Sequence, residues 1–421
     1  MFNNFTEARE WIETQKRFGE KLDLSKMRLA CAKLNHPENS FRSVHVAGTN
    51  GKGSTVNYIK NILDDAGFKV GVYTSPFVLK FNERIGIGQE FISDEDVVKY
   101  ASFLRNFRDR LLTEDNEALT FFEIITLMAF MYFRDQKVDF AVIEVGLGGT
   151  LDATNVITPE VSCITNISYD HMKQLGNTLE SIALNKLGIV KDGIPLVTSI
   201  ENKSLFPLFS EVVAKNNTRM KIVDLSLISN VKIGEETTFM YRTEEYRLKM
   251  AGMHQVKNAV LAIEAIRILR LKDNLTITED NIRNGLAVTS WPGRFEIFEH
   301  QIVLDGAHNI GAVLSLKKAL ADIFPDRYII CLFCMMKDKE HEKVIQELDN
   351  VVDEFHFAEI EYPRRADAET LFQESHHHNK FLHHDAKAAF LELREHLKEN
   401  QILLVTGSLY LVSDIRPLIA K

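Results

Sequence analysis

A glycine-rich segment near the N-terminus has the residue types that bind phosphate. GTNGKGST, at 48–55, combines three glycines with a lysine, between an apolar run and a helical pattern. Backbone N–H groups of such a turn, and of the helix start, would face one anion. Lys52 would reach the β- and γ-phosphates, and Ser54 would offer a hydroxyl to Mg²⁺. The usual P-loop spelling is not met, because Val46 replaces the first glycine and Gly53 follows Lys52. A purely geometric turn is the alternative, but it gives no reason for a lysine between glycines.

Polar residues at the ends of other apolar runs could complete a metal site. Glu144 interrupts the run AVIEV, and a buried carboxylate is costly unless it is paired or binds a cation. Ser75 follows the run GVYT, and His171 follows ITNISYD. Ligands gather at the carboxyl ends of strands in open α/β sheets. The pattern predicts a cation site at these three residues. An ion pair for Glu144, a Ser-Pro turn for Ser75 and a structural role for His171 stay open.

Apolar, strand-like runs alternate with helical patterns through most of the chain. This alternation predicts crossover units and a parallel sheet buried on both faces, an α/β fold. The predicted strands are 43–47, 69–74, 138–145 and 161–166, and the predicted helices are 54–66, 119–134 and 179–190. Lys186 lies in the last of these helices, where its residue type alone does not separate it from a surface lysine.

The C-terminal part of the sequence predicts a second, smaller domain. Alternating residues at 231–250 indicate an antiparallel hairpin or meander, and helices are expected at 254–271 and 280–286. SWPGRFE at 290–296 has the Pro and Gly of a hinge. The α/β alternation then restarts, and IVLDGAHN places Asp305 and His308 at a strand end. We expect a large domain at 1–295 and a Rossmann-like domain at 296–421.

Composition excludes some classes of protein. The chain has 421 residues and a formal charge of -9, which argues against nucleic acid as the main partner. No signal peptide and no apolar stretch of membrane-spanning length is evident, so we expect a cytoplasmic protein with no membrane partner. The histidine-rich segment at 375–385 has no regular ligand spacing and is interpreted as a solvated surface loop.

An ordered set of motifs resembles the folylpolyglutamate synthase family, which are Mur-type ATP-dependent amide ligases. The motifs appear in the family's order from about residue 40 to 416. They are HVAGTNGKGST, YTSP with NERI, EVGLGG with LDATN, ITNISYDH, GMHQVKNA, WPGRFE, LDGAHN and VTGSLYLV. The family uses the compact loop spelling seen here. The resemblance implies a large P-loop-type domain, with helices on both faces of a mostly parallel sheet, and a smaller C-terminal glutamate ligase domain.

The resemblance also implies roles for individual residues. ATP contacts would come from the loop, from an adenine contact and from the second domain: Asn50, Gly51, Lys52, Gly53, Ser54, Thr55, Asn258, Arg294, Asp305 and His308. Two Mg²⁺ ions would be held by Ser54, Ser75, Glu144, His171 and Lys186, with Lys186 carbamylated so that it carries a carboxylate-like group. Catalytic roles would fall to Lys52, Lys186 and His308. Folate contacts would be Thr120, Phe121, Phe122, Glu123, Leu151, Asp152 and Ala153.

Three residues depart from the family's pattern. Phe77 stands where the family often has His, Thr150 where Arg is common, and Asn185 where Glu is usual. None of the three is a proposed ATP or metal ligand. Phe77 and Thr150 lie near the expected folate pocket, so they bear on which folate is accepted.

The implied reaction joins glutamate to the γ-carboxylate of a folate's terminal glutamate, with ATP converted to ADP and phosphate. Folate and glutamate would be the small-molecule partners, and we expect a monomer, with the reaction in a cleft closed between the domains. A dihydrofolate synthase, or an enzyme with both activities, uses the same chemistry on dihydropteroate. A nucleotide-dependent binding module is the alternative from another class, and it would release phosphate without folate or glutamate.

Overall fold

The structure is a computed structural model that describes residues 1–16, 23–273 and 275–419. The chain folds into two compact units. The first contains 1–225 and 258–288, and the second contains 226–257 and 289–421. The segment 226–257 thus groups with the C-terminal residues, whereas the sequence predicts a single boundary at 295/296. That boundary stays a prediction.

The first unit is built on an eight-stranded sheet in the order β4-β3-β2-β5-β1-β6-β7-β8. Six neighbouring strands pair in parallel, in the order β2-β5-β1-β6-β7-β8. Strands β3 and β4 are antiparallel additions at the β2 edge. The strands are β1 Arg42–Ala47, β2 Val70–Tyr73, β3 Ile85–Ile87, β4 Glu90–Phe91, β5 Phe140–Glu144, β6 Val161–Ile164, β7 Leu196–Thr198 and β8 Met220–Ile222. The predicted α/β fold with a mostly parallel sheet is confirmed.

Helices pack against this sheet through buried apolar side chains. One cluster joins Ile143 of β5 to helices α4 and α5, and a second joins Ile164 of β6 to α7 and α8. The helices of the first unit are α1 Phe5–Glu13, α2 Ser25–Lys33, α3 Lys52–Asp65, α4 Asp94–Asp115, α5 Phe121–Asp135, α6 Met172–Leu175, α7 Leu179–Leu187 and α8 Phe206–Lys215. Two more follow later in the chain, α9 Met253–Asp273 and α10 Glu279–Val288.

The second unit contains two sheets. The predicted antiparallel element is a three-stranded sheet, with β9 Ile228–Lys232, β10 Thr237–Tyr241 and β11 Glu244–Leu248. The other sheet has six strands in the order β12-β13-β17-β14-β15-β16, parallel except for β12. These strands are β12 Glu296–Phe298, β13 Ile302–Leu304, β14 Tyr328–Phe333, β15 Glu354–Ala358, β16 Lys380–His383 and β17 Gln401–Thr406. The helices are α11 Ile310–Ile323, α12 His341–Leu348, α13 Ala368–Glu374, α14 Ala386–Glu395 and α15 Leu409–Ile415.

The histidine-rich segment does not form the predicted surface loop throughout. Its residues Lys380–His383 form β16, which pairs with β15 at the edge of the sheet. His377 is buried, and its two ring nitrogens each lie 2.9 Å from a carbonyl oxygen, that of Val352 or that of Asn379. Among the described residues, no helix combines the length and apolar character needed to cross a membrane.

Candidate functional site

The glycine loop connects the end of β1 to the start of α3. Gly51 has a φ of 82°, in the left-handed region, and α3 begins at the next residue, Lys52. A side chain at Gly51 would also place its Cβ 2.3 Å from Oδ1 of Asn258. At Gly48 the φ is 148°, and a Cβ would lie 1.8 Å from Oγ1 of Thr165. Backbone conformation and close packing therefore both require glycine at these positions. Asn258 lies against the loop, and its contact with the nucleotide stays a prediction.

The loop is held by residues that follow β6. The amide of Asn50 donates to Oδ1 of Asn166 across 2.9 Å, and the Thr165 hydroxyl donates to the Asn50 carbonyl across 2.6 Å. The Thr49 hydroxyl lies 3.1 Å from the Ser168 carbonyl oxygen. Sequence reasoning named none of these three partners from the segment after β6. Their signal was the run of polar residues in ITNIS, directly after an apolar strand.

Lys52 and Glu144 come together beside the loop. The Lys52 ammonium donates to the carbonyl oxygens of Gly48 and Thr49, each across 3.2 Å. It also lies 4.0 Å from Oε1 of Glu144. Glu144 is 5% exposed, and its Oε2 accepts the amide of Ser75 across 3.2 Å. A cation and a buried carboxylate thus stand at the ends of β1, β2 and β5.

Lys186 reaches the same loop from helix α7. Its ammonium donates to the Gly48 carbonyl oxygen across 2.8 Å, and the side chain is buried. Burial and the neighbouring Lys52 lower the pKa of Lys186 to about 7. A substantial fraction of this lysine is therefore the neutral amine near neutral pH.

His171 and Ser54 occupy different environments. Ser54 is buried in the first turn of α3. His171 is exposed, precedes α6 with a φ of 50°, and places Nε2 3.9 Å from Oδ2 of Asp170. The structure brings Lys52, Glu144, Ser75 and Lys186 around the loop, while His171 lies with Asp170 at the end of the segment after β6.

The donor set fits Mg²⁺ in part. Mg²⁺ prefers oxygen ligands, and the buried Glu144 carboxylate and the Ser54 hydroxyl are both groups of that kind. Lys186 as an ammonium cannot be a ligand, since it has only donors. As a carbamate, the same side chain would offer carboxylate-like oxygens.

The first predicted folate segment forms the start of α5. Thr120 and Glu123 cap this helix reciprocally, with Glu123 Oε2 accepting the Thr120 amide across 2.7 Å. Glu123 also pairs with Lys26 across 2.9 Å.

The aromatic side chains of this segment contact other residues. The Phe121 ring lies 5.5 Å from the Arg84 guanidinium, and Phe122 packs beside Tyr73. The polar groups of this segment thus stabilise the start of the helix, and its aromatic rings pack against Arg84 and Tyr73.

The second predicted folate segment follows the glycines after β5. Leu151 is 48% exposed, whereas Asp152 and Ala153 are buried. A Cβ at Gly146, in the glycine-containing stretch that leads to this segment, would lie 2.3 Å from the Phe122 ring. Ala153 of the second segment belongs to the buried apolar cluster against which Phe121 and Phe122 of the first segment pack, so the two segments share that cluster.

In the second unit, Asp305 lies just after β13. Its Oδ2 accepts the Phe295 amide across 2.9 Å, and its Oδ1 accepts the Ala307 amide across 2.8 Å. Burial raises the pKa of Asp305 to about 6, although the charge of Arg294 opposes this shift. His308 Nδ1 lies 2.8 Å from the Gly306 carbonyl oxygen. Asp305 and His308 thus lie between β13 and α11, and the ligands that they and Arg294 bind stay predictions.

Two family models match this chain. The Mur ligase middle domain matches residues 46–266, and the glutamate ligase domain of Mur ligases matches 293–409. The first match alone covers more than half of the chain. The chain belongs to the Mur ligase family. An ATP-dependent, amide-forming ligase is the enzyme class that this membership supports, and the resemblance found in the sequence is confirmed.

Individual relatives of this Mur ligase match over nearly their full length. A Bacillus subtilis protein named dihydrofolate synthase/folylpolyglutamate synthase is 37% identical, over 99% of each chain. The crystal structure of folylpolyglutamate synthase from Thermotoga maritima has a TM-score of 0.86 and 32% identity, covering 99% of this chain and 97% of that one. A solved complex of FPGS with AMPPCP and folate has a TM-score of 0.85 and 32% identity, covering 99% of this chain and 100% of that one.

Proposed function

We propose that this chain is an ATP-dependent ligase that joins L-glutamate to the γ-carboxylate of a reduced folate, which can already carry glutamates. ADP and phosphate are the other products. The observation that carries the proposal is the placement of the Lys52 ammonium on the glycine loop, 4.0 Å from the buried Glu144 carboxylate. This pairing of phosphate-binding and cation-binding groups suits transfer of a γ-phosphoryl group.

Phosphoryl transfer solves a leaving-group problem. A free carboxylate is a poor acyl donor, because oxide would have to leave. Transfer of the γ-phosphoryl group gives an acyl phosphate, and the glutamate amine then attacks its carbonyl carbon and displaces phosphate. Lys52 is placed to neutralise charge on the phosphoryl oxygens, and Arg294 and His308 are proposed to assist from the second domain.

We propose that Ser54, Ser75, Glu144 and His171 hold two Mg²⁺ ions, with carbamylated Lys186 as a further ligand. Bound Mg²⁺ would supply neutralisation of the phosphate oxygens. The buried, partly neutral amine of Lys186 supports carbamylation, because only the neutral amine attacks CO₂. That step forms one N–C bond and releases one proton. The test is ¹³C NMR with labelled bicarbonate, in which a carbamate signal should be present in the native chain and absent from Lys186→Arg.

Residues 50–55 and Asn258 are proposed to bind ATP, and segments 120–123 and 151–153 the folate. Dihydropteroate is a second candidate acceptor, since the Bacillus subtilis relative is named for both activities. A cytoplasmic monomer with a domain boundary at 295/296 is the accompanying expectation.

The deciding experiment is an ADP-release assay with the purified chain, ATP and Mg²⁺. The ligase predicts ADP formation only when glutamate and an acceptor are both present. Tetrahydrofolate and dihydropteroate are supplied in separate reactions, which assigns the acceptor. Phosphate release without either substrate would favour the nucleotide-dependent binding module instead.

A further inference from the structure

A buried histidine in β1 begins a chain of hydrogen bonds to the predicted folate site. His45 is fully buried, between Val44 and Val46. Its Nε2 lies 2.8 Å from the Thr154 hydroxyl oxygen. That hydroxyl in turn lies 2.5 Å from Oδ1 of Asp152. A strand residue of the phosphate-binding motif is thus connected to the segment that follows β5.

The direction of these bonds follows from Asp152. Its Oδ1 accepts the Thr154 amide across 3.0 Å, and its Oδ2 accepts the Leu147 amide across 2.9 Å. Burial raises the pKa of Asp152, but both oxygens accept hydrogen bonds, which favours the carboxylate form. The Thr154 hydroxyl donates to that carboxylate, and it must then accept from His45. His45 is consequently the tautomer with its proton on Nε2.

This histidine is an unfavourable residue for its position. Among the described residues, no hydrogen-bond partner is found for His45 Nδ1. Burial, together with the charge of Lys191, lowers the pKa of His45 to about 3, so the ring is neutral. An aliphatic residue like its neighbours in β1 would bury no unpaired polar atom. A function of the Nε2 donor, exerted through Thr154, would explain why the fold keeps a buried histidine whose Nδ1 atom is unpaired among the described residues.

The end of the chain of hydrogen bonds shapes the predicted acceptor site. Asp152 joins the two sides of the segment 147–154 by accepting from the amides of Leu147 and Thr154. Next to Leu147, Gly146 packs so closely on Phe122 that a Cβ would lie 2.3 Å from the ring. The position of Asp152 therefore affects both predicted folate segments.

We propose that His45 and Thr154 are positioning residues for the acceptor site, acting through Asp152 on the segment 146–153. The inference rests on the proposed function, because it takes this segment as the place where the folate or pteroate ring binds. Neither residue touches the reacting atoms. Their contribution is to fix the carboxylate and the glycine-containing turn before the acceptor arrives.

Two matched pairs of variants test the proposal in the full chain. Thr154→Val removes the hydroxyl with little change in shape, and Thr154→Ser retains it. His45→Leu removes the Nε2 donor, and His45→Gln places an amide donor at a similar reach. We expect Thr154→Val and His45→Leu to raise the KM for tetrahydrofolate about tenfold, the effect of one hydrogen bond to a charged group. The KM for ATP should change less than about twofold, and the Ser and Gln variants should restore most of the acceptor affinity.

A purely structural role would give a different result. It would lower the melting temperature of the apolar variants. The KM for ATP and the KM for the acceptor would then change in parallel, or both KM values would stay unchanged. Either outcome overturns the proposal. The double variant His45→Leu/Thr154→Val should be no weaker in acceptor binding than Thr154→Val alone, because His45 acts through the hydroxyl. If one apolar variant does not fold, the pair at the other position decides. Absence of any glutamate-dependent ADP release by the native chain would instead refute the proposed function.

Discussion

The Lys186 ammonium donates to the carbonyl oxygen of Gly48 across 2.8 Å. A helix residue whose type alone did not distinguish it from a surface lysine is thus a buried contact of the phosphate-binding loop. Its burial beside Lys52 lowers the pKa of Lys186 to about 7. The fold therefore bears a free-energy cost for a group that the proposed chemistry needs.

Lys186→Met should stabilise the chain while abolishing ligase activity. The pKa of this lysine is lower in the folded than in the unfolded chain, so the fold is penalised at low pH, and the penalty fades as pH rises from about 7 towards 10. The free energy of unfolding at pH 6 should rise by about 1–3 kcal/mol. Denaturant titrations at pH 6 and pH 9.5, in bicarbonate-free buffer that keeps the Lys186 amine unmodified, check this, with exposed Lys173→Met as the control. An equal gain at both pH values would refute the desolvation explanation.

Gly51→Ala should weaken ATP binding as well as the fold. Its φ of 82° is unfavourable for alanine by about 1–2 kcal/mol, and the new Cβ would collide with Asn258. Gly67→Ala is the matched control, because Gly67 has a φ of 88° and nothing within 4 Å of a Cβ. Both variants should lose stability, but only Gly51→Ala should raise the KM for ATP, by about tenfold or more. A similar KM for ATP in both variants would contradict the assignment of the loop.

The sequence predicted the local elements well but not how strands pair. Periodicity indicated β1 and β5, but no local sequence pattern predicted that β1 lies between β5 and β6 in the sheet. That order, with Val46 in register with Glu144, brings the carboxylate to the loop. The same limit explains β16. Its histidine-rich residues indicated a loop, and pairing with β15 overrode that local preference.

Glu144→Gln should reduce kcat by about 100-fold or more, because a neutral amide is a weaker cation ligand and no longer balances Lys52. The apparent Mg²⁺ requirement should rise as well. The test is a Mg²⁺ titration of the ADP-release rate. An unchanged titration curve would remove Glu144 from the proposed metal site.

Glu83→Gln is a useful comparison at another buried carboxylate. Glu83 accepts the amides of Val78, Leu79 and Lys80. Replacing one of its acceptor oxygens should cost about 1–3 kcal/mol of stability. The Mg²⁺ titration of this variant should match that of the native chain.

The acid side of the pH–rate profile should depend on Asp305. Its pKa of about 6 means that the carboxylate is protonated as pH falls through 6, which removes the partner charge of Arg294. We expect kcat/KM for ATP to decrease as the pH drops below about 6. In Arg294→Gln the arginine no longer lowers the pKa of Asp305, so the acid limb of the profile should move to higher pH. A limb that stays in place, or moves to lower pH, would contradict the role of Asp305.

The contacts of individual side chains were harder to predict from the sequence than the positions of the helices and strands. Thr120 and Glu123 are predicted folate contacts, and the structure adds that they cap α5 reciprocally, a T-x-x-E signature present in the sequence. Thr165 and Asn166 support the loop, but their contacts depend on strand order. Side-chain partners across strands cannot be derived from spacing along one segment.

The most direct test of the central claim follows oxygen from the acceptor into phosphate. The acceptor is prepared with ¹⁸O in its γ-carboxylate and incubated with the chain, ATP, Mg²⁺ and glutamate. An acyl phosphate predicts that one ¹⁸O from that carboxylate appears in the released phosphate for each amide bond formed. Unlabelled phosphate, with amide product formed, would contradict activation of the carboxylate by ATP.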